Sequence, residues 1–318
     1  MAEQPSAPKR HKLVGYKNFK RHNPMSDRFA MHGFHHVEFW CGDATTAASS
    51  ATRPTETPQR THSLRSPGKP AGPVFRPAVR RLVAIGDVHG DLRATTQALR
   101  AAGVKPGDKV LSNGFTLAPV PGAIAHAGAH PLFVDTTADY TMDLDDLRRK
   151  LASSGAKVLL ISHMRGHISD LQAACELCAA HGVAVVEDCA HTMGASWDGK
   201  PTGTWGQVGC FSTQTYKHIN SGEGGLLVTD DEDICAQAIL MSGSYMLYGQ
   251  HLSAPGPEVF ERWRMRTPNF SMRMSNHAAA MLRPQLAEMP RRAQTWNRLY
   301  AQLAEALSGV PHLSVPER

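Results

Sequence analysis

The sequence has few cysteines, few aromatic residues and no long apolar run. Its 318 residues include 6 cysteines without regular spacing, which indicates reduced thiols rather than a disulfide framework. No stretch approaches the roughly 20 consecutive apolar residues that span a membrane, and the opening Met-Ala-Glu-Gln-Pro has no apolar signal core. We therefore expect a soluble, cytoplasmic protein without a membrane partner, although targeting to an organelle stays open.

Positive charge is concentrated in the first quarter of the chain. Residues 1–79 hold 12 Lys and Arg against 5 Asp and Glu, together with 9 of the 21 prolines, whereas the remainder holds 22 basic against 23 acidic residues. Such a segment can bind nucleic acid, but no sequence motif that reads DNA or RNA accompanies it. We predict a largely disordered segment with one short strand near residues 34–41, and no nucleic-acid partner.

From residue 80 onward, short β-branched runs alternate with helical segments. This alternation is typical of a mostly parallel sheet covered by helices, so the predicted fold class is α/β. We predict one large domain over residues 80–270 and the helical start of a smaller domain over residues 271–318. The predicted strands are 81–85, 109–111, 131–134, 157–161, 183–186 and 225–229.

Local signals also predict where helices begin and where they are interrupted. Asp143 and Ser169 precede apolar-periodic segments and are good N-cap residues. Beyond residue 273 the pattern predicts two helices. Pro284 and Pro290 are expected to interrupt the first of them, because proline lacks the amide proton that a helix interior requires.

Three polar residues stand where an α/β sheet binds ligands. Asp188 ends a buried strand, and ligands lie at the carboxyl ends of such strands. Lys217 precedes a glycine-rich turn, where burial can keep its amine neutral and able to form a Schiff base. Asp188 could hold a pyridine nitrogen protonated, and Ser212 could offer its hydroxyl to a phosphate. The alternative is a surface lysine and a helix cap, but the two residues together favour a site.

Residues 104–318 resemble the DegT/DnrJ/EryC1/StrS family of fold-type I, pyridoxal-phosphate-dependent aminotransferases. The resemblance implies a homodimer that transfers an amino group from a small donor to a carbonyl acceptor, mostly a keto-sugar of a nucleotide sugar. It implies Lys217 as the Schiff-base lysine and proton carrier, Asp188 on the pyridine nitrogen, His191 on the ring oxygen and Ser212 on the phosphate. The matching segments are 103–110, 128–135, 187–191, 211–212, Lys217, 222–225 and 269–275.

The chain also departs from that family's pattern. The family's phosphate site is a helix N-terminus opened by a Gly-Thr pair, and this place falls near Asp91 and Leu92, where a carboxylate would repel the phosphate. The aromatic residue that stacks on the pyridine ring is replaced by Leu117, with Phe115 close by, and the small domain is expected to be truncated. An inactive, degenerate homologue without cofactor binding is therefore the alternative interpretation.

Two shorter segments resemble other families. Residues 81–92 are similar to the first motif of calcineurin-like metallophosphatases, in which Asp87 and His89 would be metal ligands. The later motifs of that family are missing from the sequence, so we predict no metal site. Residues 12–46 resemble the start of plant-type 4-hydroxyphenylpyruvate dioxygenases, whose iron ligands lie elsewhere in that family. A composite chain, and a metallophosphatase-related fragment, are the further alternatives.

Overall fold

A computed structural model of the protein describes residues 81–85, 90–243, 246–313 and 315. The predicted N-terminal segment 1–79, including the dioxygenase-like stretch 12–46, lies outside the described residues. Asp87 and His89 lie outside them as well.

A seven-stranded, mostly parallel sheet forms the centre of the described chain. Its order is β1-β9-β8-β5-β4-β2-β3, with β9 antiparallel to both of its neighbours and all other pairs parallel. Strands β6 and β7 form a separate two-stranded ribbon. The predicted α/β class is confirmed. The strands are β1 Arg81–Ile85, β2 Lys109–Asn113, β3 His130–Val134, β4 Val158–Ser162, β5 Ala184–Asp188, β6 Ser196–Trp197, β7 Lys200–Pro201, β8 Val208–Ser212 and β9 Gly225–Thr229.

Helices cover both faces of this sheet, because alternate residues of each strand point to opposite sides. Leu160 of β4 belongs to a core cluster shared with α1, α2, α5 and α6. Its neighbours Leu159 and Ile161 belong to a second cluster, shared with α3 and α4. The helices are α1 Gly90–Ala101, α2 Pro119–His126, α3 Leu144–Ser154, α4 Leu171–Ala180, α5 Glu232–Ser242, α6 Pro257–Trp263 and α7 Asn276–Leu307.

The predicted helix starts are partly confirmed. The Asp143 carboxylate caps α3 by accepting the backbone N–H groups of residues 145 and 146. The prediction that Ser169 caps α4 was wrong by one residue. Asp170 takes that role, accepting from the backbone N–H of Ala173, while the Ser169 hydroxyl accepts from the backbone N–H of Met142 instead.

The C-terminal part of the chain differs from the sequence prediction. Instead of two helices, one 32-residue helix runs over Asn276–Leu307, with Pro284 and Pro290 in its interior. The prolines cost α7 backbone hydrogen bonds, but the part of the helix that contains them, residues 282–292, packs against the segment between β8 and β9. Across the described part of the chain, every helix is too short or too polar to cross a membrane.

Candidate functional site

Asp188 lies at the carboxyl end of β5, where the neighbouring strand β4 ends with Ser162. The two residues are direct partners in the parallel pairing of these strands. The Ser162 hydroxyl donates a hydrogen bond of 2.7 Å to Asp188 Oδ2, and the backbone N–H of Ala190 donates one of 3.1 Å to Oδ1. The Asp188 carboxylate, only 6% exposed, is therefore fixed in orientation.

The segment between β8 and β9 carries Lys217 to the same edge of the sheet. Thr213 N–H donates to Gly224 O and Thr215 N–H donates to Gly222 O, so the segment folds back on itself. Lys217 sits in the tip of this fold and is partly buried. Its Nζ lies 3.0 Å from His191 Nε2, which joins two residues that are 26 positions apart in the sequence.

The imidazole of His191 is held from its other side by a backbone amide. Arg165 N–H donates to His191 Nδ1 over 3.2 Å. Because Nδ1 accepts, the proton of the neutral ring is assigned to Nε2, the atom that faces Lys217. In this tautomer Nε2–H donates to Lys217 Nζ only when Nζ is the uncharged amine, because an ammonium group has no acceptor. Burial lowers the pKa of His191, and a positive charge on Lys217 lowers it further, which favours the neutral ring.

Arg165, which makes this contact, has an unusual backbone conformation. It has φ 57°, in the left-handed region that residues other than glycine rarely occupy. It lies in the short 3-10 turn Met164–Gly166 that follows β4. The turn therefore directs an N–H group, rather than a side chain, at the His191 ring.

Ser212 ends β8 and is 1% exposed. Strand β8 pairs with β5, and Cys210 is the direct partner of Asp188, so Ser212 lies two residues beyond that pairing on the carboxyl side. Its hydroxyl accepts a hydrogen bond of 3.3 Å from Gln214 N–H. Within the described ranges, no hydrogen bond joins Ser212 to Asp188, His191 or Lys217, so its contribution would be to a ligand rather than to the other three.

Helix α7 holds the lysine segment in place through polar contacts that the sequence patterns missed. The Gln285 side chain pairs with both backbone groups of Asn220, accepting its N–H over 3.1 Å and donating to its carbonyl over 2.6 Å. Arg292 donates to the carbonyl oxygen of His218 over 3.0 Å. No local signal indicates these partners, because they are 65 and 74 positions apart in the sequence.

Apolar contacts reinforce the same attachment. Ile219 is fully buried and packs in one cluster with Leu282 and Met289 of α7. The His218 ring lies against Trp296, with 4.8 Å between the ring centroids. The residues that follow Lys217 are thus anchored on α7 by both side-chain packing and backbone hydrogen bonds.

Glu187, next to Asp188, has a structural role on the opposite face of β5. Its carboxylate accepts the backbone N–H groups of Gly203, Trp205 and Gly206 and lies 3.3 Å from His163 Nε2. Burial raises the pKa of Glu187, but the hydrogen bond and charge of His163 and the backbone amides outweigh it, so the net pKa is lowered. With its oxygens engaged in this way, Glu187 folds residues 203–206 against β5.

The two residues considered for ring stacking both lie in the connection between β2 and α2. Leu117 is 40% exposed, between β2 and α2. Phe115 lies in an aromatic cluster with Tyr140 and His167, at centroid distances of 4.9 and 5.9 Å. Asp91 is in the first turn of α1, which agrees with the predicted position of a helix N-terminus.

Comparison with known proteins shows which family the chain resembles over most of its length. Residues 92–318 match the model of the DegT/DnrJ/EryC1/StrS aminotransferase family. The Pleiotropic regulatory protein of Geobacillus stearothermophilus is 34% identical over 159 residues, covering 49% of this chain and 42% of the relative. The GDP-perosamine synthase of Escherichia coli O157:H7 is 30% identical over 192 residues, covering 60% and 50%.

The fold is also shared with solved structures. DesV of S. venezuelae, solved in complex with a ketimine intermediate, superposes with a TM-score of 0.63 at 26% identity, covering 74% of this chain and 60% of that one. The chain spans about half the length of the curated relatives it matches. The matched region includes Asp188, His191, Ser212 and Lys217 and extends over most of the chain. The chain therefore belongs to the DegT/DnrJ/EryC1/StrS aminotransferase family.

Proposed function

We propose that this protein is a pyridoxal-phosphate-dependent aminotransferase that moves an amino group from a small donor to a keto-sugar or a similar carbonyl compound. The observation that carries the proposal is the distance of 3.0 Å between Lys217 Nζ and His191 Nε2. Asp188 lies three residues before His191, at the same sheet edge. An amine, a neutral imidazole and a buried carboxylate are thus available at one sheet edge.

These residues fit the chemical groups of pyridoxal phosphate. Lys217 would hold the cofactor covalently through Nζ, and Asp188 would accept a hydrogen bond from the protonated pyridine nitrogen. His191 Nε2–H would donate to the ring oxygen, and the Ser212 hydroxyl to the phosphate. When bound, the cofactor supplies an electron sink that stabilises negative charge on the substrate carbon.

Each residue then has a definite task. Lys217 Nζ would also be placed to take a proton from the substrate carbon and return it. His191 keeps its proton on Nε2, because Arg165 N–H occupies Nδ1, so it orients its neighbours by donation. Asp188, held by Ser162, would favour the protonated form of the ring nitrogen. The attachment of residues 218–220 to α7 fixes the backbone that carries the lysine.

The substrate class follows from the relatives and is part of the proposal. A GDP-perosamine synthase is among the relatives, which supports a keto-sugar of a nucleotide sugar as the acceptor. A homodimer remains a prediction of the family resemblance. The metallophosphatase and dioxygenase resemblances stay sequence predictions, since the family match begins at residue 92.

The test is an absorption spectrum of the purified protein mixed with pyridoxal phosphate. We expect a shifted cofactor band in the wild type that disappears in Lys217→Arg, which retains a positive charge but cannot hold the cofactor covalently. Lys200, which lies 4.4 Å from the Trp205 ring centre, offers the matched control: Lys200→Arg should keep the band. A folded wild-type protein with no shifted band would overturn the proposal.

A further inference from the structure

We infer that Ser162 is a positioning residue that prepares Asp188 for a protonated ring nitrogen. The inference rests on the proposed function and deepens it. Ser162 does not itself face the reacting atoms in this account. It acts through the carboxylate of Asp188, to which its hydroxyl donates over 2.7 Å.

The position of Ser162 is fixed by a second buried polar residue. Asn113, at the end of β2, accepts the Ser162 N–H at Oδ1 over 2.8 Å and donates from Nδ2 to the Ser162 carbonyl over 3.0 Å. Ser162 and Asn113 are 4% and 2% exposed. The backbone N–H and carbonyl of Ser162 are therefore both held, and this fixes the position from which its hydroxyl donates to Asp188.

The charge environment of Asp188 differs from that of the other buried carboxylates in the described ranges. Asp146 forms an ion pair with Lys150 over 2.6 Å, and Glu187 lies 3.3 Å from His163. Asp188 has no ion pair within those ranges, only the hydroxyl of Ser162 and the N–H of Ala190. A buried carboxylate is costly without a positive partner, so the arrangement suits a cationic N–H group supplied by a bound ligand.

Ser162 thus constrains the carboxylate without neutralising it. It occupies Oδ2 with a neutral donor, whereas a lysine or arginine at this place would compete with a ring cation for the same charge. Ser162→Ala would leave Asp188 with a single hydrogen bond and freer rotation. We expect the penalty to appear only when the ligand has a ring nitrogen that Asp188 can bind.

The experiment compares two cofactors in three proteins. The dissociation constants of pyridoxal phosphate and of its 1-deaza analogue, in which a carbon replaces the ring nitrogen, are measured for wild type, Ser162→Ala and Ser112→Ala. Ser112 is a buried serine of β2 whose hydroxyl has no hydrogen-bond partner among the described residues, so it controls for loss of a buried hydroxyl. Urea unfolding of each apoprotein verifies that it is folded.

The inference predicts a selective loss. Ser162→Ala should weaken pyridoxal phosphate by about tenfold, the effect of one hydrogen bond to a charged group, and leave the deaza analogue within about twofold of wild type. Ser112→Ala should bind both like the wild type. If Ser162→Ala weakens binding of both cofactors equally, or of neither, the role of Ser162 is overturned while the proposed function stands. Absence of pyridoxal phosphate binding by wild type would overturn the proposed function as well.

Discussion

Lys217 Nζ and His191 Nε2 lie 3.0 Å apart, although they come from different connections of the sheet. His191 follows β5, and Lys217 lies between β8 and β9. Arg165 N–H donates to Nδ1 of His191, so the proton of the neutral ring is assigned to Nε2. Lys217 therefore faces an Nε2–H donor, which its Nζ can accept only as the uncharged amine.

The first prediction concerns the tautomer of His191. We expect nitrogen NMR of histidine-labelled Lys217→Met apoprotein at pH 8, in which no ammonium group competes for Nε2, to show the proton on Nε2, because Nδ1 accepts from Arg165. Arg165→Gly keeps the backbone N–H and suits the φ of 57°, so this variant should retain the tautomer. His191→Gln identifies the signal by its disappearance. A proton on Nδ1 in Lys217→Met would contradict the proposed role of Arg165.

The second prediction concerns stability in acid. Burial lowers the pKa values of His191, His218 and His251. The charge of Lys217 lowers those of His191 and His218 further. In acid, the unfolded chain then binds more protons than the folded one. The contribution of these histidines to the free energy of unfolding is fully present above their ordinary pKa of about 6.5. It is lost as the pH falls through their lower pKa values in the folded state.

Urea unfolding at pH 7.5, 6.0 and 5.0 measures this effect. We expect the free energy of unfolding to be lower at pH 5.0 than at pH 7.5 or pH 6.0. His251→Gln should reduce the slope, with exposed His126→Gln as the control. A free energy of unfolding that rises as the pH falls would show that the sign is wrong.

The third prediction tests the attachment of the lysine segment to α7. Gln285→Ala removes both hydrogen bonds to Asn220 and should lower the free energy of unfolding by about 1–3 kcal/mol, while exposing residues 213–224 to proteolysis. Gln172→Ala, which removes an exposed contact to Glu176, should change stability by less than about 0.5 kcal/mol. Equal effects of the two variants would argue against the attachment.

The fourth prediction separates the two adjacent carboxylates of β5. Glu187→Gln breaks a buried pair with His163 and should cost roughly 3 kcal/mol or more of stability, measured by urea unfolding. The exposed pair of Asp145 and Arg148 provides the control, because Asp145→Asn should cost less than about 1 kcal/mol. A small effect of Glu187→Gln would remove the structural role assigned to it.

The sequence predicted the sheet, and it indicated the candidate site residues, because their signals are local. The β-branched run that ends in Asp188 and the motif that includes His191 can each be recognised from a few consecutive residues. The partners Ser162 and Gln285 could not be found in this way, since they meet Asp188 and Asn220 only after β4 and α7 have packed. Tertiary packing likewise explains the continuous α7, in which Pro284 lies inside a helix.

The most direct test is to identify the residue that binds the cofactor covalently. The mixture of protein and pyridoxal phosphate is reduced with borohydride, which makes the carbon–nitrogen bond permanent, and is then digested and analysed by mass spectrometry. We predict that the reduced cofactor is attached to the peptide containing Lys217 and is absent from Lys217→Arg. Attachment to another lysine such as Lys200, or no attachment in folded protein, would contradict the account.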